Sequence, residues 1–199
     1  MTFRLFAEPW WVNSFFLVPF IFHFWWRKSR LNLSSRHLLF SFAFALAFGF
    51  AESAVVVYLR AAAGLLPGVA GTLADVQQLA PGDYVQSAVL PAFPPSLLTV
   101  EVFREAATIV MLLSTAALVS TRVKEFLACF LWEFAAWDLA YYAGLWLLVR
   151  WPNSLKSMDV LFLIPIPWIS QVWFPILVST LSLAAVAANR SKSRGSQGN

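Results

Sequence analysis

Five long apolar stretches constrain the fold of this chain more than any other feature of its sequence. The hydrocarbon core of a bilayer is about 30 Å thick, so a helix that crosses it needs roughly 20 mostly apolar residues. Five stretches come close to that length, at about residues 9–26, 38–59, 97–120, 126–149 and 160–188. The pattern predicts an all-α, polytopic transmembrane helix bundle of five spans, which forms a single domain over residues 1–188.

The composition favours a membrane protein over a soluble one. Hydrophobic residues make up 60% of the chain and charged residues 12%, whereas soluble domains average about 45–50% apolar and about 25% charged residues. A single cysteine, Cys129, leaves no partner for a disulfide within these residues. The two histidines, His23 and His37, lie on or near the predicted inner side, away from most of the acidic residues. Their position argues against a carboxylate-bridged di-metal site, which normally includes histidine.

The basic residues predict the orientation of the bundle. Nine of the fourteen Lys and Arg residues fall on one side of the five spans, in the segments 27–37, 121–125 and 189–199. The positive-inside rule places that side in the cytoplasm. We therefore expect a multi-pass protein of the cell membrane with its N-terminus outside and its C-terminus inside. No basic stripe points to nucleic acid. The expected partners are the lipid bilayer and either further copies of the chain or other membrane subunits.

Two segments fall outside the spans. Segment 60–96 contains the helix-breaking pairs Pro67-Gly68 and Pro81-Gly82, together with many apolar residues. This combination predicts a long outer loop that packs as a cap. The polar segment 189–199 predicts a disordered cytoplasmic tail.

Prolines interrupt the fifth stretch. Pro165, Pro167 and Pro175 lie inside it, and each proline in a helix interior removes a backbone donor and clashes with the preceding turn. Irregular backbone at membrane depth needs surrounding protein or a water-filled cavity. We expect a fifth helix that is either broken near Pro165–Pro167 and faces the bundle interior, or simply kinked.

Ionisable side chains inside the predicted spans are the strongest functional signal. Each costs roughly 2.5–3.5 kcal/mol to insert, and such residues usually face the bundle interior. At 1.5 Å per residue, Glu52 and Glu105 lie about 12 Å below the outer surface and Asp138 about 18 Å below it. Asp159 lies at the outer boundary of the fifth span. Three different helices therefore place a carboxylate in or near the outer half of the membrane.

Helical periodicity sorts these residues onto faces. At 100° per residue, one narrow arc of the third helix carries four polar residues, Glu101, Arg104, Glu105 and Thr108. Arg104 can pair with Glu101, three residues earlier. On the fourth helix, Asp138 shares a face with Tyr141 and Tyr142, either of which can donate a hydrogen bond to it.

These faces define a predicted site. Its members are Glu52, Glu101, Arg104, Glu105, Thr108, Asp138, Tyr141, Tyr142 and Asp159. Glu133 lies apart in the inner half, where Lys124 or His23 is its expected partner. No catalytic residue can be assigned from the pattern.

The predicted site holds more carboxylates than cations. In a medium of low dielectric, surplus carboxylates cannot remain ionised and unpaired. Some must therefore be protonated, or a cation must bind. Carboxylates suit hard cations such as Mg²⁺ or Ca²⁺, for which Glu101, Glu105 and Asp138 are the candidate ligands. No other cofactor is predicted.

Three functions fit this pattern. Chains of buried acids in membrane proteins commonly carry protons or ions, so we expect a non-enzymatic protein that binds or passes a proton or cation within a complex. An alternative is a membrane enzyme that uses the same carboxylates on a lipid or isoprenoid substrate, as acid and base or as metal ligands. A second alternative is a structural subunit, in which Arg104 pins helices together.

Overall fold

The computed structural model describes residues 4–62 and 95–191, and the fold is mostly helical with one small two-stranded sheet. A 3-10 helix, Trp10–Leu17, leads directly into α1, Val18–Ser29. The remaining helices are α2 (Ser35–Ala62), α3 (Pro95–Val119), α4 (Val123–Val149) and α5 (Trp173–Asn189). Strands β1 (Met158–Phe162) and β2 (Trp168–Gln171) form an antiparallel hairpin before α5.

Two helices of the described chain are long and apolar enough to cross a membrane. They are Ser35–Ala61 within α2 and the whole of α3. At 1.5 Å per residue both exceed the bilayer core of about 30 Å. The predicted five-span topology is therefore only partly supported, and the other three crossings stay a prediction.

The first half of the fifth predicted span is the β-hairpin, so the expectation of an all-α fold with a broken or kinked fifth helix was wrong in this segment. Val160 lies opposite Ile169 across the two strands. Pro165 and Pro167 lie in the turn between the strands, where a missing N–H removes no ladder hydrogen bond. The N-terminal segment adds to the hairpin, because Glu8 and Ile169 exchange backbone hydrogen bonds of 2.8 and 2.7 Å.

α4 is the central helix and packs against α2, α3 and α5. α2 lies close against it at Gly49, where a Cβ would collide with the backbone carbonyl of Trp137. Gly144 on α4 faces Ser53 on α2 in the same way. Small residues at such crossings let helix backbones come close together. The contact brings Glu52, about one turn after Gly49, against α4.

Parts of two predicted segments lie outside the described residues. Of the outer loop at 60–96, residues 63–94 are not described, so the predicted cap is not tested. Of the predicted tail, residues 192–199 are likewise outside. At the start of the predicted tail, Leu31 donates a backbone hydrogen bond of 3.0 Å to Asn189 and accepts one of 2.9 Å from Ser191.

Candidate functional site

A small polar cavity lies between α2, α3, α4 and the hairpin, and we call it the acidic chamber. It has a volume of about 40 Å³ for water-sized molecules, which is room for about three waters. Eight of the nine predicted site residues line it: Glu52, Glu101, Arg104, Glu105, Asp138, Tyr141, Tyr142 and Asp159. The ninth, Thr108, is buried beside it and donates a hydrogen bond to Glu52.

Arg104 connects two carboxylates from different helices. Its Nε and Nη2 atoms donate to Oε2 of Glu101 at 3.0 and 2.7 Å. Its Nη1 atom pairs with Oε1 of Glu52 on α2. Both carboxylates are buried, so the guanidinium offsets the cost of removing two negative charges from water.

Glu52 is held by more donors than any other acid of the chamber. Besides Arg104, its Oε2 atom accepts hydrogen bonds from the Thr108 hydroxyl at 2.8 Å and from the Trp137 indole N–H at 2.9 Å. Hydrogen bonds to a charged group are among the stronger ones in proteins. These donors come from α3 and α4, so Glu52 links three helices at one point.

The other three acids receive hydrogen bonds from neutral donors. Glu105 accepts the backbone N–H of Leu163 at 2.7 Å. Asp138 accepts the Ser179 hydroxyl at 2.8 Å, and Asp159 accepts the Tyr142 hydroxyl at 2.6 Å. Each of these bonds ties α3 or α4 to the hairpin or to α5, so the acids also position the cover of the chamber.

Asp159 lies on the hairpin, outside the helices, and is 1% exposed. Burial raises the pKa of its carboxyl to about 7, because low-dielectric surroundings disfavour the charged form. The Tyr142 hydroxyl and the positive charge of Arg60 act in the opposite direction on this pKa, and they offset only part of the rise.

The chamber therefore holds an excess of acidic groups. Five carboxyl groups and two guanidinium groups line it. The described contacts commit Arg104 to Glu101 and Glu52, while Arg60 acts on Asp159. For Glu105 and Asp138, the described hydrogen bonds come from uncharged groups.

Several partners differ from those that the sequence predicts. Asp138 is bound by Ser179 of α5, whereas Tyr142 donates to Asp159 instead. The Oε2 atom of Glu133 accepts the Thr115 hydroxyl at 2.6 Å, so the expectation of Lys124 or His23 as its partner was wrong. Lys124 instead donates to the carbonyls of Ser29 and Arg30, and His23 contacts Asn189.

Sequence reasoning missed four contributors to the site: Arg60, Trp137, Ser179 and the backbone N–H of Leu163. Trp137 precedes Asp138, and helical periodicity alone places it on another face of α4, with Glu133. Its indole N–H, a donor that needs a partner when buried, was the signal that could have identified it. A backbone donor such as that of Leu163 has no signal in side-chain patterns.

The chamber shows no ready metal centre in the part of the chain that the structure describes. Residues 4–62 and 95–191 contain no group of three or more His, Cys, Asp or Glu residues placed to hold a metal ion. The acids are instead separated by Arg104 and by the hydrogen-bond donors.

Comparisons with protein-family profiles, with curated proteins and with solved structures find no match to this chain.

Proposed function

We propose that this chain is an integral protein of the cell membrane that crosses the bilayer five times, with its N-terminus outside and its C-terminus in the cytoplasm. Two helices of sufficient length and the distribution of Lys and Arg support this proposal. Large apolar side chains that point outwards support it as well, since Leu118 is 85% and Phe103 71% exposed. Apolar surface of this kind is expected against lipid and is unfavourable in water.

Within that membrane protein, we infer that the acidic chamber binds a proton or a small cation. One observation carries this proposal: five carboxyl groups share one small cavity with two guanidinium groups. Burying an unpaired carboxylate costs so much that the group neutralises instead. A bound positive species would offset this excess, and protons on Glu105 or Asp138 would supply it without added volume.

The size of the chamber favours small species. A volume of about 40 Å³ admits about three waters and leaves little room for a hydrated divalent ion. A bound proton or cation can also pass through the membrane if the chamber exchanges it with the water on both sides. The proposal includes assembly with further copies of the chain or with other membrane subunits, since five helices are few for a conducting path.

The test measures protonated carboxyl groups directly by infrared difference spectroscopy on the full chain in lipid nanodiscs. At pH 7 and without added metal, we expect a protonated carboxyl band. Glu105→Gln removes one carboxyl group from the chamber and should lower the band by roughly one carboxyl per protein. The local fold should be kept, because the amide oxygen can still accept the Leu163 N–H. Glu8→Gln is the matched control, since the Glu8 side chain is 74% exposed and does not line the chamber.

A cation series separates the two forms of the proposal. If Na⁺, Mg²⁺ or Ca²⁺ is the species bound, adding it at constant pH lowers the protonated band, and Glu105→Gln weakens that response. Proton flux into liposomes under a pH gradient tests passage. The proposal is contradicted if all the chamber acids are ionised at pH 7 without metal and none of the cations changes their spectrum.

A further inference from the structure

A second, larger cavity lies beside the acidic chamber and is almost entirely apolar. It has a volume of about 690 Å³ and runs between α1, α3, α4, α5 and the hairpin; we call it the apolar groove. Its walls include Ala106, Ile109, Phe130, Phe134, Trp168 and Val178. A space of this size lies within the range of about 300–1,000 Å³ that is typical of small-molecule sites.

The carboxyl and hydroxyl side chains that line the groove are concentrated at one place. Asp138 and Ser179 face each other across 2.8 Å, and both are more than nine-tenths buried. Ser182 also lines the groove, but its hydroxyl donates to the Val178 carbonyl of its own helix. Asp138 lines the acidic chamber as well. An occupant of the groove therefore meets this hydrogen-bonding pair at the wall shared with the chamber. Trp168, whose buried indole N–H has no hydrogen-bond partner among the described residues, lines the groove on the hairpin side.

The charge of the lining limits the chemistry of that occupant. No Lys, Arg or His is among the described residues that line the groove. A phosphate group would meet the Asp138 carboxyl without a counter-charge, which is costly in low dielectric. An uncharged hydroxyl fits better, since it can donate one hydrogen bond and accept another. The apolar walls then suit a hydrocarbon chain attached to that hydroxyl.

We propose that the apolar groove binds a neutral lipid with a long hydrocarbon chain and a terminal hydroxyl group. The chain lies between α3, α4 and α5, and the hydroxyl reaches the Asp138–Ser179 pair. Phe162 and Trp168 of the hairpin cover the groove on its hairpin side. This inference goes beyond the proposed ion binding and does not depend on it, because an alcohol can pair with Asp138 in either protonation state.

The test uses three photoreactive probes of equal chain length on the full chain in nanodiscs. One is a long-chain alcohol with a diazirine in its chain, the second is its methyl ether, and the third is a phosphatidylcholine carrying the same chain. We expect the alcohol to label peptides of α3 and α4 that line the groove, at least about threefold more than the ether, which cannot donate a hydrogen bond.

Two variants make the result specific. Ala106→Trp fills the groove and should lower alcohol labelling about tenfold or more, whereas Ala107→Trp, at an exposed position of the same helix, should leave it unchanged. Ser179→Ala removes one hydrogen-bond partner and should lower alcohol labelling roughly three- to tenfold without changing ether labelling. If Ala106→Trp does not fold, Ser179→Ala alone tests the proposal.

Three outcomes would overturn the proposal. Equal labelling by alcohol and ether means that the Asp138–Ser179 pair recognises nothing. Equal labelling by phosphatidylcholine means that the groove holds ordinary bilayer chains. Crosslinks between two copies through the groove, in place of probe labelling, mean that a helix of a second copy occupies it.

Discussion

Arg104 shows how single residues set the charge balance of the acidic chamber. Its guanidinium is shared between Glu101 and Glu52, so one positive charge serves two carboxylates that lie on different helices. A lone buried ion pair is weak support for stability, because desolvation offsets most of the attraction. Because Arg104 forms its described ion pairs with Glu101 and Glu52, the described hydrogen bonds of Glu105 and Asp138 come from uncharged groups.

Asp159 should make the folded protein less stable as the pH rises. Its carboxyl releases its proton near pH 3.8 when exposed to water, while burial raises its pKa to about 7 in the fold. Between these values the folded state keeps a proton that the unfolded chain has lost. The free energy of unfolding therefore falls as pH rises, by up to about 4 kcal/mol, and this effect levels off above pH 7.

Thermal unfolding in detergent between pH 4 and pH 9 checks this prediction. Asp159→Asn should flatten the decrease in melting temperature, because the amide has no proton to lose in this range and still accepts the Tyr142 hydroxyl. Glu8→Gln should follow the parent protein, since that side chain is 74% exposed. The same pH dependence in Asp159→Asn and the parent would show that Asp159 is already ionised in the fold.

At the scale of elements, helical periodicity was a good guide to the polar face of α3, but on α4 it missed Trp137, which also lines the chamber. The spacing of Glu101, Arg104 and Thr108 places them on one side of any α-helix, and in the structure they meet around Glu52. The helix geometry alone carries this information. This prediction required only that α3 is a helix, and its long apolar run with few helix-breaking residues predicts one.

The hairpin could not be predicted in the same way. Leu161-Phe-Leu-Ile164 is a short apolar run, and such runs fit a buried strand as well as a helix. The prolines that follow indicate a break but not what precedes it. The donor to Glu105 was missed for the same reason, because the Leu163 N–H reaches it only when the chain turns back at the hairpin.

The close crossing of α2 and α4 yields a prediction for Gly49. Gly49→Ala should destabilise the protein by about 1–3 kcal/mol, the usual cost of overpacking, since the new methyl group collides with the Trp137 carbonyl. Alanine favours helices over glycine by up to about 1 kcal/mol, so a net loss shows that the crossing is tight. The shift should also weaken the bond between Trp137 and Glu52.

Thermal melting and tryptophan fluorescence of the purified variant measure both effects. Ala47→Leu is the control on α2, because Ala47 is exposed and a larger side chain there meets no neighbouring helix. A melting temperature equal to or above that of the parent in Gly49→Ala would mean that α2 can move away from α4 without loss, and that Glu52 is not held by this crossing.

For the whole molecule, the acidic chamber and a group of basic residues lie at opposite ends. Lys124 donates to the carbonyls of Ser29 and Arg30, and Arg30 reaches the carbonyl of Ala188. The ends of α1 and α5 and the start of α4 therefore meet at one basic end. The acidic chamber lies towards the other end, beneath the hairpin. The positive-inside rule uses such an uneven distribution of Lys and Arg to predict which end of a membrane protein faces the cytoplasm.

The orientation leads to a labelling prediction that tests the topology. The only cysteine of the chain, Cys129, is buried, so a Cys129→Ala parent should fold and give no background with a membrane-impermeant maleimide. Single cysteines are then introduced by Leu5→Cys, Asn153→Cys and Ser191→Cys, all at exposed positions. In intact cells, we expect labelling of the first two variants and no labelling of Ser191→Cys.

Permeabilised cells supply the control, since all three variants should then react. The expected difference between Asn153→Cys and Ser191→Cys requires that the hairpin and α5 together cross the membrane. At 1.5 Å per residue α5 alone reaches about 25 Å, slightly less than the bilayer core of about 30 Å, so the hairpin must supply the remaining depth. If Asn153 and Ser191 react from the same side, this segment does not cross, and the hairpin with its chamber lies at the membrane surface instead.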